Sequence, residues 1–173
     1  QLTADAISAG LVDGHGHPAG LGRAMTELNL AQTTTFAEVL QHIQAKATET
    51  AASQNWLLGR GWDQNDWEDA PPGQWPTAAL LDAIEASRPV ALRRIDGHAL
   101  WVNSKALAVA GISSTTADPE GGWIFRDEQG EPTGILLDAA MSLIPVPSPT
   151  VSEREEHLRA ALDSLIATGL TGV

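Results

Sequence analysis

Residues 11–18 read Leu-Val-Asp-Gly-His-Gly-His-Pro, and this stretch carries the main clue to the fold. The two apolar residues followed by an alternating pattern predict the end of a β-strand, because successive strand side chains point to opposite faces. Asp13, His15 and His17 are then expected on one face. Pro18 cannot continue a central strand, so the strand is expected to end there. The stretch therefore predicts two imidazoles at the carboxyl end of a strand, where barrel enzymes keep their chemistry.

The histidine pair is a candidate metal site. Two imidazoles at this spacing can bind one ion, each through a nitrogen at ~2.0–2.1 Å. Asp13, one layer deeper, is a candidate to orient one of these ligands from behind. The motif alone is also typical of a solvated turn, and a catalytic zinc site normally has three protein ligands. His42 and His157 are expected on helix surfaces, so neither is a good candidate for a third ligand. The residues alone therefore leave both the metal site and the solvated turn open.

Composition narrows the class of protein. The 173 residues carry 10 Lys and Arg against 22 Asp and Glu, a formal charge of −12 that argues against nucleic-acid and anionic-membrane partners. A 43% apolar fraction is enough for a core, and no apolar run approaches a membrane span. The absence of Cys excludes disulfides and thiol catalysis and fits a reducing compartment, so we expect a cytoplasmic protein.

Predicted strands and helices alternate along the chain, which is typical of an α/β fold. Two capping-box patterns, Thr35 with Glu38 and Ser152 with Glu155, predict helix starts, and Gly111 and Gly169 predict helix ends. Strands are predicted at 11–17, 56–59, 90–95, 122–126 and 133–137, and helices at about 36–52, from Pro76, from Asn103 to Gly111, and along the apolar stripe Leu158, Ala161, Leu162, Leu165 and Ile166.

A second group of polar residues lies in residues 93–104, Arg-Arg-Ile-Asp-Gly-His-Ala-Leu-Trp-Val-Asn-Ser. A strand leads into a glycine turn where Asp96, His98 and Asn103 gather, and Trp101 adds an apolar wall. Ligands bind at such strand ends in α/β folds, so His98 is a candidate substrate hydrogen-bond donor or general acid. The alternative is structural: Asp96 caps a turn and pairs with an arginine, while His98 only satisfies backbone.

Residues 59–63, Gly-Arg-Gly-Trp-Asp, form a third candidate. Arg60 between glycines could bind a carboxylate, with Trp62 beside it. A structural turn with a buried Trp is the favoured alternative. Asp138 could face the same cleft, although an N-cap for a helix over 139–143 is simpler.

These segments in this order resemble the YtcJ-like branch of the amidohydrolase superfamily, which includes N-substituted formamide deformylase-like proteins. The matching segments run nearly end to end, and the 96–104 segment is more specific than the histidine pair. They are residues 12–17, 59–63, 93–104, 118–122, 130–136 and 169–173.

The resemblance implies a partial chain of a (β/α)₈ barrel. Residues 1–17 would be the lead-in and first barrel strand, 18–150 an α/β insertion covering the site mouth, and 151–173 a helix and the start of the second strand. His15 and His17 would be metal ligands, Asp13 would support them, and His98 would contact substrate or act as an acid. Weaker substrate-contact candidates are Arg60, Trp62, Asp96, Trp101 and Asn103.

The implied activity is metal-dependent hydrolysis of C–N bonds in small amide-like molecules. One or two divalent ions are expected, zinc foremost, although imidazole also suits nickel and iron. A barrel needs ~250 residues, and Gln1 in place of Met suggests a fragment, so we expect this segment alone to be inactive without the remainder of its barrel. Oligomeric state is left open. The alternative is a non-catalytic α/β module or truncated remnant with a binding or structural role.

Overall fold

The computed structural model describes residues 9–50, 55–70 and 73–173, which divide into two compact units. One unit contains the chain up to Thr26 together with Pro149–Val173, and the other contains Glu27–Ser148. The strands are β1 (Leu11–Val12), β2 (Leu28–Asn29), β3 (Leu57–Trp62), β4 (Val90–Arg94), β5 (Ala99–Val102), β6 (Gly122–Arg126), β7 (Pro132–Asp138) and β8 (Leu170–Gly172). The helices are α1 (Pro18–Thr26), α2 (Phe36–Thr50), α3 (Ala78–Asp82), α4 (Ser104–Ala110) and α5 (Val151–Ala167), with a 3₁₀ helix at Ala139–Leu143.

The unit built from the two ends of the chain joins β1 and β8 as parallel strands and packs α1 on α5. The helices approach closely at Gly22, where an added Cβ would lie 1.7 Å from the His157 carbonyl oxygen. His157 is half-buried at this contact, whereas the sequence predicted a surface position. Of the predicted apolar stripe on α5, Ala161 is buried, whereas Leu158, Leu162 and Ile166 are exposed.

The larger unit is a six-stranded mixed sheet in the order β2-β3-β4-β5-β7-β6. The first three strands are parallel, and β5, β7 and β6 continue the sheet with antiparallel neighbours. Alternate residues serve opposite faces. Leu92 and Trp101 pack in the core that includes α2, whereas Ala91 and Leu100 pack in the core that includes α4. The α/β prediction is confirmed.

Several predicted elements are confirmed with shifted bounds. The hairpin around residues 127–130, the α4 cap at Asn103 and the left-handed glycines after α4 and α5 are as expected. The predicted Ser152 cap is wrong, because α5 begins two residues earlier with a capping box between Thr150 and Glu153. The predicted strand 11–17 ends at Val12. Residues 51 and 52 of the predicted 36–52 helix lie outside the described part of the chain.

The N–H groups at the start of α2 donate hydrogen bonds to side chains near and far along the chain. The capping box is confirmed: Glu38 N–H donates to Thr35 Oγ1 at 3.2 Å, and Thr35 N–H donates to a Glu38 carboxylate oxygen at 3.2 Å. In addition, Asp69 accepts the backbone N–H groups of Phe36 and Ala37 at 2.5 and 3.1 Å. The Phe36 bond holds the pKa of Asp69 below its ordinary value of 3.8.

The other end of α2 is bound by a buried arginine. Arg88 donates to the Ala47 and Thr50 carbonyl oxygens at 2.9 and 3.0 Å and to the Glu85 carboxylate at 3.0 Å. Burial alone raises the pKa of Glu85. Hydrogen bonds from Ser87 and the charge of Arg88 outweigh that effect, so the pKa lies below 4.5.

None of the helices in the described ranges has both the length and the apolar character needed to cross a membrane.

We expect Arg88→Leu to lower the free energy of unfolding by about 3–5 kcal/mol, because it leaves the Glu85 carboxylate buried without its cation. Adding Glu85→Gln to Arg88→Leu should recover part of the loss. Urea denaturation of both variants checks this. Equal midpoints for Arg88→Leu and the unaltered chain would contradict it.

We expect Asp69→Asn to destabilise the chain at pH 7 and progressively less as the pH falls. A carboxylate whose pKa is lower in the folded state than in the unfolded state stabilises the fold at pH values above the unfolded-state pKa. That contribution is lost as the pH falls through the folded-state pKa. Thermal midpoints of the two proteins should therefore differ at pH 7 and converge below about pH 4. A difference that stays constant down to acid unfolding would show that the carboxylate charge is irrelevant.

Candidate functional site

The histidine pair lies in an irregular segment between β1 and α1. His15 and His17 are both exposed, and their ring centroids are 5.0 Å apart with planes at 89°. Pro18 does not end the strand as predicted, because β1 already ends at Val12 and Pro18 begins α1. The rings are therefore neighbours directly after the carboxyl end of β1.

The prediction that Asp13, His15 and His17 share one strand face is wrong. Asp13 Oδ1 accepts the backbone N–H of His15 at 3.0 Å, a local turn that competes with strand continuation. Asp13 thus fixes the backbone that carries His15, not the ring. Gly16 is closely packed, since an added Cβ would lie 2.4 Å from Val173, whereas nothing lies within 4 Å of a Cβ at Gly14.

The two imidazoles supply part of the ligand set that a divalent cation needs. Two imidazoles bound through nitrogen to one ion have centroids at most ~6.4 Å apart, taking ~2.1 Å for each metal bond. The observed 5.0 Å lies inside this limit. Neutral imidazole suits zinc, nickel and iron. In the described ranges no group of three or more His, Cys, Asp or Glu could hold a metal.

The larger unit carries a second polar cluster, organised by Arg94 at the end of β4. The guanidinium donates to Asp63 at 2.9 Å, to Asp96 at 2.5 Å and to the Gln64 side-chain oxygen at 3.0 Å. It also lies 5.5 Å from the centroid of the Trp75 ring. Arg94 thereby immobilises the turn that leads from β4 to β5.

His98 projects from that turn toward the end of β7. Its backbone N–H donates to Asp96 Oδ1 at 3.0 Å, and its ring Nδ1 lies 2.8 Å from Asp138 Oδ1. The Asp138 backbone N–H also donates to the His98 carbonyl at 3.0 Å. Asp138 has φ 46° and ψ −119°, a conformation that costs a non-glycine residue of order 1–3 kcal/mol.

The interpretation of Asp138 as a helix cap is wrong. It directly precedes the 3₁₀ helix, but its side chain makes no cap hydrogen bond and binds His98. Asp96 fits the structural alternative, because it caps the turn and pairs with Arg94. His98 does not merely satisfy backbone, since its ring is engaged as well.

The other residues predicted to contact substrate differ in how deeply they are buried. Arg60 is exposed and lies beside Arg93 in the sheet register. Trp62 and Trp101 are fully buried, and their indole N–H groups donate to the carbonyls of Leu92 and Thr77. Both tryptophans therefore support the core whatever else they do.

Asn103 is also fully buried, and its amide joins three segments. Its oxygen accepts the N–H groups of Val90 and Ala106, and its NH₂ group donates to the carbonyls of Glu85 and Arg88. All four hydrogen-bonding positions are used within the protein. Asn103 thus holds the start of α4 to the start of β4.

A model of the amidohydrolase family matches residues 5–173. The chain belongs to the amidohydrolase family. The resemblance to its YtcJ-like branch is confirmed: the chain is 43% identical to YtcJ of Bacillus subtilis strain 168 over 99% of its own length and 32% of YtcJ. It is 30% identical to N-substituted formamide deformylase of Arthrobacter pascens, over 100% of this amidohydrolase chain and 33% of the deformylase.

The chain spans about a third of the length of these relatives. Its fold is similar to the crystal structure of an uncharacterized metal-dependent hydrolase from Pyrococcus horikoshii OT3, with a TM-score of 0.64 and 24% identity. That likeness covers 95% of this chain and 30% of the hydrolase, and it concerns the fold alone.

Gln64 and Trp75 were not singled out by the sequence as parts of a site. Asp63 lay in the third candidate segment without an assigned role, and Arg94 was one of the arginines expected to pair with Asp96. The segment after β3 carries Asp63, Gln64 and Trp75, and nothing local in it indicates contact with β4. The contact between Asp138 and His98 follows from the strand register, because Ala99 pairs with Leu137 and places His98 opposite Asp138. The sequence does not show this register, which becomes visible only in the folded sheet.

We expect Asp138→Gly to be more stable than Asp138→Ala by about 1 kcal/mol or more, because only glycine adopts this backbone conformation without strain. Both variants lose the carboxylate, so their difference isolates the backbone. Chemical denaturation of the pair measures it. An Ala variant as stable as the Gly variant would show that Asp138 is unstrained.

Proposed function

We propose that this amidohydrolase chain is part of a metal-dependent hydrolase that cleaves C–N bonds of small amide-like substrates. The observation that carries the proposal is the pair of exposed imidazoles, 5.0 Å apart, directly after β1. The deformylase relative supports the bond type, and N-substituted formamides are the first substrates to try.

In this proposal β1 and β8 are the first two strands of a (β/α)₈ barrel. Their parallel pairing, with α5 leading into β8, supports it, since barrel strands are parallel and preceded by helices. The exposed apolar residues support it too. Leu11, Val12, Leu162 and Ile166 are 61%, 73%, 44% and 66% exposed, which is surface that further barrel elements would cover.

His15 and His17 would hold the ion through imidazole nitrogens. A divalent ion, zinc being the foremost candidate, supplies Lewis-acid polarisation of a carbonyl and an activated water in such enzymes. The Asp13 turn would keep the His15 backbone in place. A catalytic zinc site has three protein ligands, so at least one more would come from other barrel strands, and the segment alone would be inactive.

The larger unit would form the insertion that contacts substrate. His98, Arg60 and Asp96 are the predicted contacts that remain exposed. Because both carboxylate oxygens of Asp96 are used within the protein, we assign substrate recognition first to His98 and Arg60. Trp62, Trp101 and Asn103 would act only by supporting these positions, since each is fully buried.

The alternative function is a non-catalytic α/β module with a binding or structural role. It is favoured by one observation, namely that the described residues assemble only two neighbouring histidines and no larger ligand group. Metal content of the full-length protein distinguishes the two functions, because the module requires no stoichiometric ion.

We expect His15→Ala and His17→Ala to strip the divalent ion from the full-length protein. Metal affinity should fall by more than the ~10–100-fold that follows removal of a residue which only orients a metal ligand. Elemental analysis after dialysis, together with kcat/KM on an N-substituted formamide, measures both effects. His42→Ala is the matched control, since His42 lies exposed on α2, far along the chain from the pair. A His15→Ala protein with full metal content and full activity would contradict the proposal.

A further inference from the structure

His98 is an exposed histidine whose ring is nevertheless held in place. Its side chain is 75% exposed, and that of Asp138 is 41% exposed. Two contacts tie these residues, which are 40 positions apart: the Nδ1–Oδ1 contact at 2.8 Å and the backbone hydrogen bond at 3.0 Å. The backbone bond continues the β5–β7 pairing, whereas the Nδ1–Oδ1 contact holds the ring itself.

The Asp138 partner determines which ring nitrogen carries the proton. An ionised carboxylate only accepts hydrogen bonds, so Nδ1 of His98 must be the donor. A neutral imidazole with its proton on Nδ1 has a lone pair on Nε2. In its neutral form His98 therefore presents an acceptor, whereas the sequence favoured a donor or an acid.

Other residues fix the turn that carries His98. Asp96 uses one oxygen for the His98 backbone N–H and the other for Arg94. Arg94 is itself held by Asp63, Gln64 and the Trp75 ring. The backbone of His98 is thus anchored independently of the Asp138 carboxylate, and removal of that carboxylate should release the ring alone.

We propose that Asp138 is a positioning residue that holds His98 as the Nδ1–H tautomer, so that Nε2 accepts a hydrogen bond from an N–H or O–H group of a ligand. The ligand class is an amide that keeps a free N–H. This ligand class rests on the proposed function, whereas the tautomer does not.

Long-range ¹H–¹⁵N spectra of full-length protein labelled with ¹⁵N-histidine test the tautomer, recorded at a pH where imidazoles are neutral. His98, assigned by its loss in His98→Gln, should show a protonated Nδ1. His42 provides an internal reference and should show the Nε2–H form that a free imidazole prefers.

Asp138→Gly retains the backbone conformation and removes the carboxylate, so His98 should revert to the His42 pattern. Asp138→Asn is a second variant, because it keeps the size of the side chain while its NH₂ group can donate to Nδ1, which would place the ring proton on Nε2. Asp66→Asn, an exposed aspartate of the same unit, should change nothing. A protonated Nε2 in the unaltered protein, or an Asp138→Gly spectrum identical to it, would overturn the tautomer assignment.

The ligand class is tested with a secondary formamide and its N-methylated tertiary analogue. The secondary amide should be preferred roughly 2- to 12-fold in kcat/KM, the worth of one hydrogen bond, and Asp138→Gly and His98→Gln should abolish the preference. His15→Ala should reduce turnover of both amides alike. Equal use of both amides by the unaltered protein overturns the ligand class. If the unaltered protein hydrolyses neither amide, the ligand class and the proposed function are both overturned. The tautomer is still decided by the spectra.

Discussion

The larger unit depends on a buried amide at the point where strand, helix and loop meet. Asn103 satisfies the first N–H of β4 and an N–H in the first turn of α4, and it donates to two carbonyls of the segment after α3. A buried donor or acceptor without a partner costs about 1–3 kcal/mol, so one side chain spares four backbone groups that penalty. β4 runs from this point to Arg94, which holds the turn that bears His98.

The two ends of this turn are held by different means. Arg94 binds Asp96 through charge, whereas Asp138 reaches His98 from the end of β7, which pairs with β5, in a conformation that is unfavourable for its backbone. Strain of this kind persists only where surrounding structure determines it, and it is concentrated at functional positions. The β7–β5 ladder supplies that determination, since it pairs the residues that follow His98 with those that precede Asp138.

Local patterns predicted elements better than they predicted partners. The alternation of strands and helices, the hairpin and the Asn103 cap follow from short-range chemistry and were predictable. Two overlapping patterns, Thr150 with Glu153 and Ser152 with Glu155, both satisfy the capping-box spacing, and the local sequence does not rank them. The His15 segment failed as a strand because an aspartate–backbone bond competes with the ladder, and both conformations suit that sequence. The Asp138–His98 contact depends on sheet register, which no window of a few residues contains.

Helix α2 has its two ends completed by residues that are made after it. Asp69 binds the first N–H groups and Arg88 the last carbonyls, across 33 and 41 positions of chain. During synthesis, which proceeds at ~5–20 residues per second, the 15-residue helix can rely only on its own Thr35–Glu38 pair until those side chains leave the ribosome. Short helices are marginal in water without tertiary support. The nascent chain must therefore extend beyond position 88 before this helix is closed at both ends.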